Sequence, residues 1–113
     1  MPYIDVMRVV ATRGYDRRAR KLFTPAERAA AELEIAFAPT AWPVIPGTGG
    51  ARKARAARGG RGKSGGARII YYVVTRRCVL YLLDVYVKSA KEDLTDAEKH
   101  EIRRLIATIE AQA

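Results

Sequence analysis

The sequence predicts an α+β domain in which a small antiparallel sheet carries two N-terminal helices and one C-terminal helix. Three observations predict it. Thr24-Pro25-Ala26-Glu27 and Thr95-Asp96-Ala97-Glu98 read as capping boxes, in which a threonine hydroxyl and a glutamate carboxylate satisfy the orphan N–H groups of a first helical turn. Residues 67–75 (ARIIYYVVT) and 79–87 (VLYLLDVYV) are dense in β-branched and aromatic side chains. Only Arg76-Arg77-Cys78 separates them, which is the spacing of a hairpin. Finally, 113 residues with a hydrophobic fraction of 49% suffice for one domain, residues 1–113, around one modest core.

In chain order, residues 6–12 read as a first strand, and a short turn of helix begins near Asp16, ahead of residues 17–22. The helix opened by Thr24 has Pro25 at its first position, where a fixed φ costs nothing. Ala26, Ala29, Ala30, Leu33 and Phe37 recur along it at helical spacing, and it stops before Pro39. Residues 39–50, with three prolines and three glycines, form the longest connection, which Trp42 is expected to pin to the body of the domain. Residues 51–57 read as an edge strand, since their basic side chains are hard to bury elsewhere. In the last helix Ile102, Leu105, Ile106 and Ile109 form an apolar stripe, with Lys99, Arg103, Glu110 and His100 on the wet side.

Composition narrows the function classes. The single Cys78 excludes an internal disulfide and, just before an apolar run, reads as a structural or turn residue. One histidine and one cysteine do not make a zinc set, so no metal or cofactor is expected. Met1 is followed by no signal-peptide pattern, and no run approaches the roughly 20 apolar residues of a membrane span. The expectation is a soluble, cytoplasmic protein.

Charge is the strongest signal. Between Ile35 and Leu83 there is no acidic residue, yet Arg52, Lys53, Arg55, Arg58, Arg61, Lys63, Arg68, Arg76 and Arg77 all fall there. The two flanks nearly cancel, so the formal net charge of +9 resides in the middle of the chain. A cationic stripe between neutral ends is the footprint of a polyanion site, and nucleic acid is the polyanion it suits.

Ala57-Arg58-Gly59-Gly60-Arg61-Gly62-Lys63-Ser64 imitates a nucleotide-binding P-loop. That loop works because a helix begins at its Lys-Ser and aims amides at the phosphates. Here Gly65-Gly66 and a strand follow, so the segment reads instead as a basic hairpin loop whose glycines let the backbone approach phosphates. Side chains alternate along a strand, placing Arg68, Ile70, Tyr72 and Val74 on one face, while Asp84, Tyr86 and Lys88 share a parity on the next strand and Lys91 follows in the turn. If these faces coincide, Arg68, Tyr72, Tyr86 and Lys88 form a basic and aromatic patch beneath Arg61 and Lys63. Such a patch suits RNA, whose bases stack on aromatic rings and whose phosphates attract Lys and Arg.

Three segments then point to a family: Gly47-Thr48-Gly49-Gly50-Ala51-Arg52-Lys53-Ala54-Arg55, Gly62-Lys63-Ser64-Gly65-Gly66-Ala67-Arg68, and Lys88 with Lys91-Glu92-Asp93-Leu94-Thr95. Together they closely resemble the RelE-like toxins of bacterial type II toxin–antitoxin modules, in the HigB-type branch, from about Val6 to Ile109. The resemblance implies a compact α+β domain and a metal-independent endoribonuclease that cuts messenger RNA, commonly in the A site of the small ribosomal subunit, inhibiting translation. It also implies a cognate acidic antitoxin carrying a helix-turn-helix DNA-binding domain. By resemblance Arg68 stabilises the transition-state phosphate, Lys88 and Lys91 are basic site positions, and Tyr72 or Tyr86 orients the scissile base. Lys53, Arg55, Arg58, Arg61 and Lys63 hold the RNA. Ala54 and Ala56 depart from the pattern, replacing larger apolar or aromatic residues, so the expectation is an edge strand that packs less well or docks its partner differently. The same fold also carries toxins that bind and inhibit DNA gyrase without nuclease activity, and a third possibility is an inactive relative that only binds nucleic acid.

Overall fold

The structure, a computed structural model, describes residues 7–60, 62 and 66–112. The elements are β1 (Arg8–Ala11), α1 (Arg13–Leu22), α2 (Pro25–Phe37), β2 (Arg52–Ala56), β3 (Ala67–Val74), a 3₁₀ turn (Thr75–Arg77), β4 (Val79–Val87) and α3 (Asp96–Ala111). Four strands form one sheet in the order β1-β4-β3-β2.

The α+β class is as expected, but the sheet is mixed. β2, β3 and β4 are antiparallel, whereas β1 runs parallel to β4, with Arg8 opposite Val79 and Ala11 opposite Leu82. A tight turn dictates antiparallel pairing only between neighbours in sequence, and two helices and two strands separate β1 from β4.

The first helix is longer than its sequence suggests. Thr12, which reads as the end of a strand, is its N-cap: the hydroxyl accepts from the Tyr15 N–H (3.3 Å) and donates to the Leu83 carbonyl (3.2 Å), tying the helix start to β4. Both expected capping boxes close. The Thr24 and Thr95 N–H groups each donate to the glutamate three residues on at 2.8 Å, and each hydroxyl accepts in return.

α2 turns the other way from its apolar stripe. Ala31 and Ile35 are its buried residues, while Leu33 and Phe37 are 67% and 89% exposed. Polar contacts explain this rotation. The Tyr15 hydroxyl donates to Glu32 (2.7 Å), and Arg28 bonds both Glu32 and Asp16 at 2.8 Å while lying 5.3 Å from the Tyr15 ring centroid. This network holds the charged side of α2 against α1, which leaves Leu33 and Phe37 outside.

Two cores flank the sheet. On one face Tyr15, Ala19, Phe23 and Ile35 pack on Ile69, Tyr71, Leu80, Leu82 and Val85. On the other, Ile102, Ile106 and Ile109 of α3 pack on Ile70, Val74 and Leu83. Leu105 stays 37% exposed, so the stripe of α3 is narrower than its spacing suggests. Ala54 and Ala56 are buried, at 0% and 3% exposure, so the edge strand packs tightly with small residues. At the hairpin Cys78 adopts φ 54 and ψ 44, a turn role paid in left-handed backbone. No helix among the described residues is long and apolar enough to cross a membrane.

Candidate nucleic-acid interface

Register brings the cations together. In the antiparallel ladder Arg55 lies directly across from Arg68, and Arg68 directly across from Tyr86. Residues opposite each other project from the same face. Lys88, whose N–H donates to the Gly66 carbonyl at 3.3 Å, continues β4 beyond this pair. Lys53, Arg55, Arg68 and Lys88 then line a pocket of about 150 Å³ together with Trp42 and Pro43. No carboxylate is among the described residues that line it.

The cations differ in setting. Arg68 is 5% exposed, and its guanidinium donates to the Ala67 carbonyl at 3.2 Å. Burial strengthens its attraction for any anion that reaches it, because little water screens the charge. Lys53 stands 3.8 Å from the exposed Asp93 carboxylate, and Arg55 and Lys88 face solvent. Such a shallow group attracts phosphates by charge and by forked donors, without dependence on base sequence.

Of the two tyrosines, only Tyr86 neighbours this group. Its ring is 7% exposed under the Lys91 ammonium (5.3 Å to the centroid), and its buried hydroxyl has no partner among the described residues. Burial pushes the phenol pKa up, the Asp93 carboxylate adds to the rise and Arg68 opposes it. Lys91 itself is bonded to Glu98, the N3 residue of α3. Burial tends to raise the Glu98 carboxyl, but the hydrogen bonds from Lys91 and Thr95 outweigh it and hold the pKa below the ordinary value.

The remaining expected residues lie elsewhere. Tyr72 shares the face of Arg68 but stands four residues along the strand, a separation of about 13 Å. Its hydroxyl is bonded to the Glu110 carboxylate, which also takes Arg76 at 2.9 Å. Arg58 donates to the Leu22 carbonyl (2.8 Å) at the end of α1, and so serves as a helix C-terminal clasp. Arg61 and Lys63 lie outside the described residues. His100 is exposed on α3. The P-loop imitation ends in a strand, since the chain enters β3 at Ala67. Sequence reasoning missed Trp42 as a lining residue; the one hint was a tryptophan held between prolines in the longest loop.

A larger cavity of about 270 Å³ lies between α1, β4 and α3 and has a different character, with Asp84, Glu98, Glu101 and Arg18 among its lining residues. Burial raises the Asp84 carboxyl pKa against the pull of Arg18, 3.3 Å away. Its carboxylates make it unsuited to a polyanion.

Among solved structures the chain is similar to the toxin RelE of E. coli, determined in the free state as a double arginine-to-alanine mutant, with a TM-score of 0.56 over 78% of this chain and 90% of that one. The fold is RelE-like. At 19% identity the shared feature is the RelE-like fold itself. No family model matches the chain.

Proposed function

We propose that this chain is the toxin of a bacterial type II toxin–antitoxin module, of the HigB-type branch, and that it acts in the cytoplasm as a metal-independent endoribonuclease on messenger RNA. The observation that carries the reading is the convergence of Lys53, Arg55, Arg68 and Lys88 on one pocket that has no carboxylate among its described lining residues, on a RelE-like fold. In the reaction the ribose 2′-oxygen attacks the adjacent phosphorus, the bond to the 5′-oxygen breaks, and the products are a 2′,3′-cyclic phosphate and a 5′-hydroxyl. Buried Arg68 holds the non-bridging oxygens as their charge grows. Lys53 stabilises the developing 2′-alkoxide, whose proton leaves to solvent, and Lys88 supplies the proton of the departing 5′-oxygen. A guanidinium is too weak an acid to give up its proton readily, so acid catalysis falls to a lysine.

The ribosomal A site as the place of cutting, and an acidic helix-turn-helix antitoxin as partner, are supported by the resemblance of the glycine-rich and basic segments and by the formal charge of +9, which favours steered association with an acidic protein. Induction in bacteria, with and without the neighbouring gene, tests the reading through growth and the mapping of messenger 5′ ends. New 5′ ends inside translated messages, suppressed by the neighbour, are expected. Growth arrest with uncut messages and altered DNA supercoiling would point to gyrase inhibition instead.

A further inference from the structure

Trp42 is an aromatic residue for which the proposed chemistry has no use, yet it stands in the wall of the cationic pocket beside Lys53, Arg55, Arg68 and Lys88. It is half-buried and packs against the core beneath α1 and α2, so it is anchored on apolar surface while still reaching the pocket. Its loop is held firmly. The Arg52 guanidinium donates to the carbonyls of Thr40 (3.2 Å) and Trp42 (2.6 Å), the Lys53 N–H to that of Pro43 (3.2 Å), and the Tyr71 hydroxyl to that of Pro39 (2.7 Å). All of these donors come from β2 and β3, the strands that carry Lys53, Arg55 and Arg68. Ring and charges therefore share one frame.

We propose that Trp42 is a stacking platform for an RNA base, seating the nucleotide beside the phosphate that Arg68 holds. The inference rests on the ribonuclease reading and adds what the four cations cannot supply. Cations neutralise phosphates whatever bases follow, whereas a flat indole distinguishes a strand that carries bases from one that does not. The larger π-face of purines overlaps an indole more fully, so the platform gives a purine preference at that position.

Trp42 is the only tryptophan in the chain, which makes its fluorescence a direct reporter. The probes are a short single-stranded RNA with 2′-O-methyl riboses, which cannot be cut, and an abasic chain of equal length and charge. The RNA should quench Trp42 emission and the abasic chain should not. Trp42→Leu keeps apolar packing without a π-face; by anisotropy it should bind the RNA roughly five- to a hundred-fold more weakly than wild type and the abasic chain unchanged. Trp42→Phe should retain most of the RNA affinity. RNA that binds without quenching, or that binds wild type and Trp42→Leu equally, overturns the platform and leaves the ribonuclease reading standing. A wild-type chain that binds neither probe at low salt overturns both.

Discussion

The sheet face that meets α3 has two ends, and they treat the same residue types in opposite ways. At the covered end Tyr72 lies under the helix, its hydroxyl bonded to Glu110, with Ile70, Val74, Ile106 and Ile109 packed around it. At the open end Tyr86 lies beside Arg68, its hydroxyl without a partner among the described residues, and Lys53, Arg55 and Lys88 surround a pocket. A tyrosine that finds a carboxylate serves the fold. The Tyr86 hydroxyl, beside the cations, makes no such bond to the described residues. α3 covers the Tyr72 end, and a register shift between Ile70 and Tyr71 separates it from the end that holds Arg68 and Tyr86.

The comparison breaks most sharply if each end is damaged alone. Ile106→Ala empties part of the covered end, where the side chain is 4% exposed, and should destabilise the protein by about 2–5 kcal/mol. Thermal unfolding checks this, and the residual folded fraction should cut RNA at the normal rate. Arg68→Ala should do the reverse, lowering cleavage about 10²–10³-fold. Circular dichroism should show an unchanged fold, and full activity in this folded variant would remove the open end from the reaction.

Salt sharpens the same contrast at intermediate size. Four phosphate contacts to a single strand imply a slope near −0.7 per contact, so RNA affinity should fall roughly fifty-fold between about 50 and 200 mM salt. The unfolding temperature should move little over that range, and equal sensitivity of the two would mean that the pocket cations are structural. Smaller again is Tyr72→Phe, which removes the hydroxyl bonded to Glu110. Loss of one hydrogen bond to a charged group costs about 1.5–3 kcal/mol when the partner is left buried, and less here, because Glu110 keeps Arg76. Chemical denaturation should register it while cleavage stays unchanged.

The smallest effect is one of pH. The Glu98 carboxyl titrates in the fold below its ordinary value of 4.5, so its contribution to stability is fully present above that value and disappears as pH falls through the lowered one. Asp84 has the opposite sign: burial raises its pKa, so its charge opposes folding at neutral pH and the penalty is relieved on acidification. Thermal unfolding of Glu98→Gln between about pH 5 and 3 should show a weaker acid dependence than wild type. For Asp84→Asn the acid dependence should instead steepen.

Much of this arrangement is legible in the chain alone because it is local. Capping boxes span four residues, strand propensity about eight, and both boxes and the β3–β4 hairpin stand where the spacing puts them. The pairing of Arg68 with Tyr86 is not local in this sense: counted back from the turn Arg68 would face Val85, and a register shift between Ile70 and Tyr71 brings Tyr86 opposite it instead. Charge is legible in the chain as well: the absence of acids between Ile35 and Leu83 marks the basic surface before any fold is known. Tertiary structure decided what depends on distant partners. It set the parallel direction of β1, which no turn constrains. It rotated α2 through the contacts of Arg28 and Glu32 with α1, exposing the stripe of Leu33 and Phe37 that spacing alone would bury. It drew Arg58 to the end of α1, drew Tyr72 to Glu110, and brought Trp42 from a proline-rich loop into the wall of the cationic pocket. Periodicity shows which side chains share a face, but only packing shows which faces meet and which groups arrive there from far along the chain.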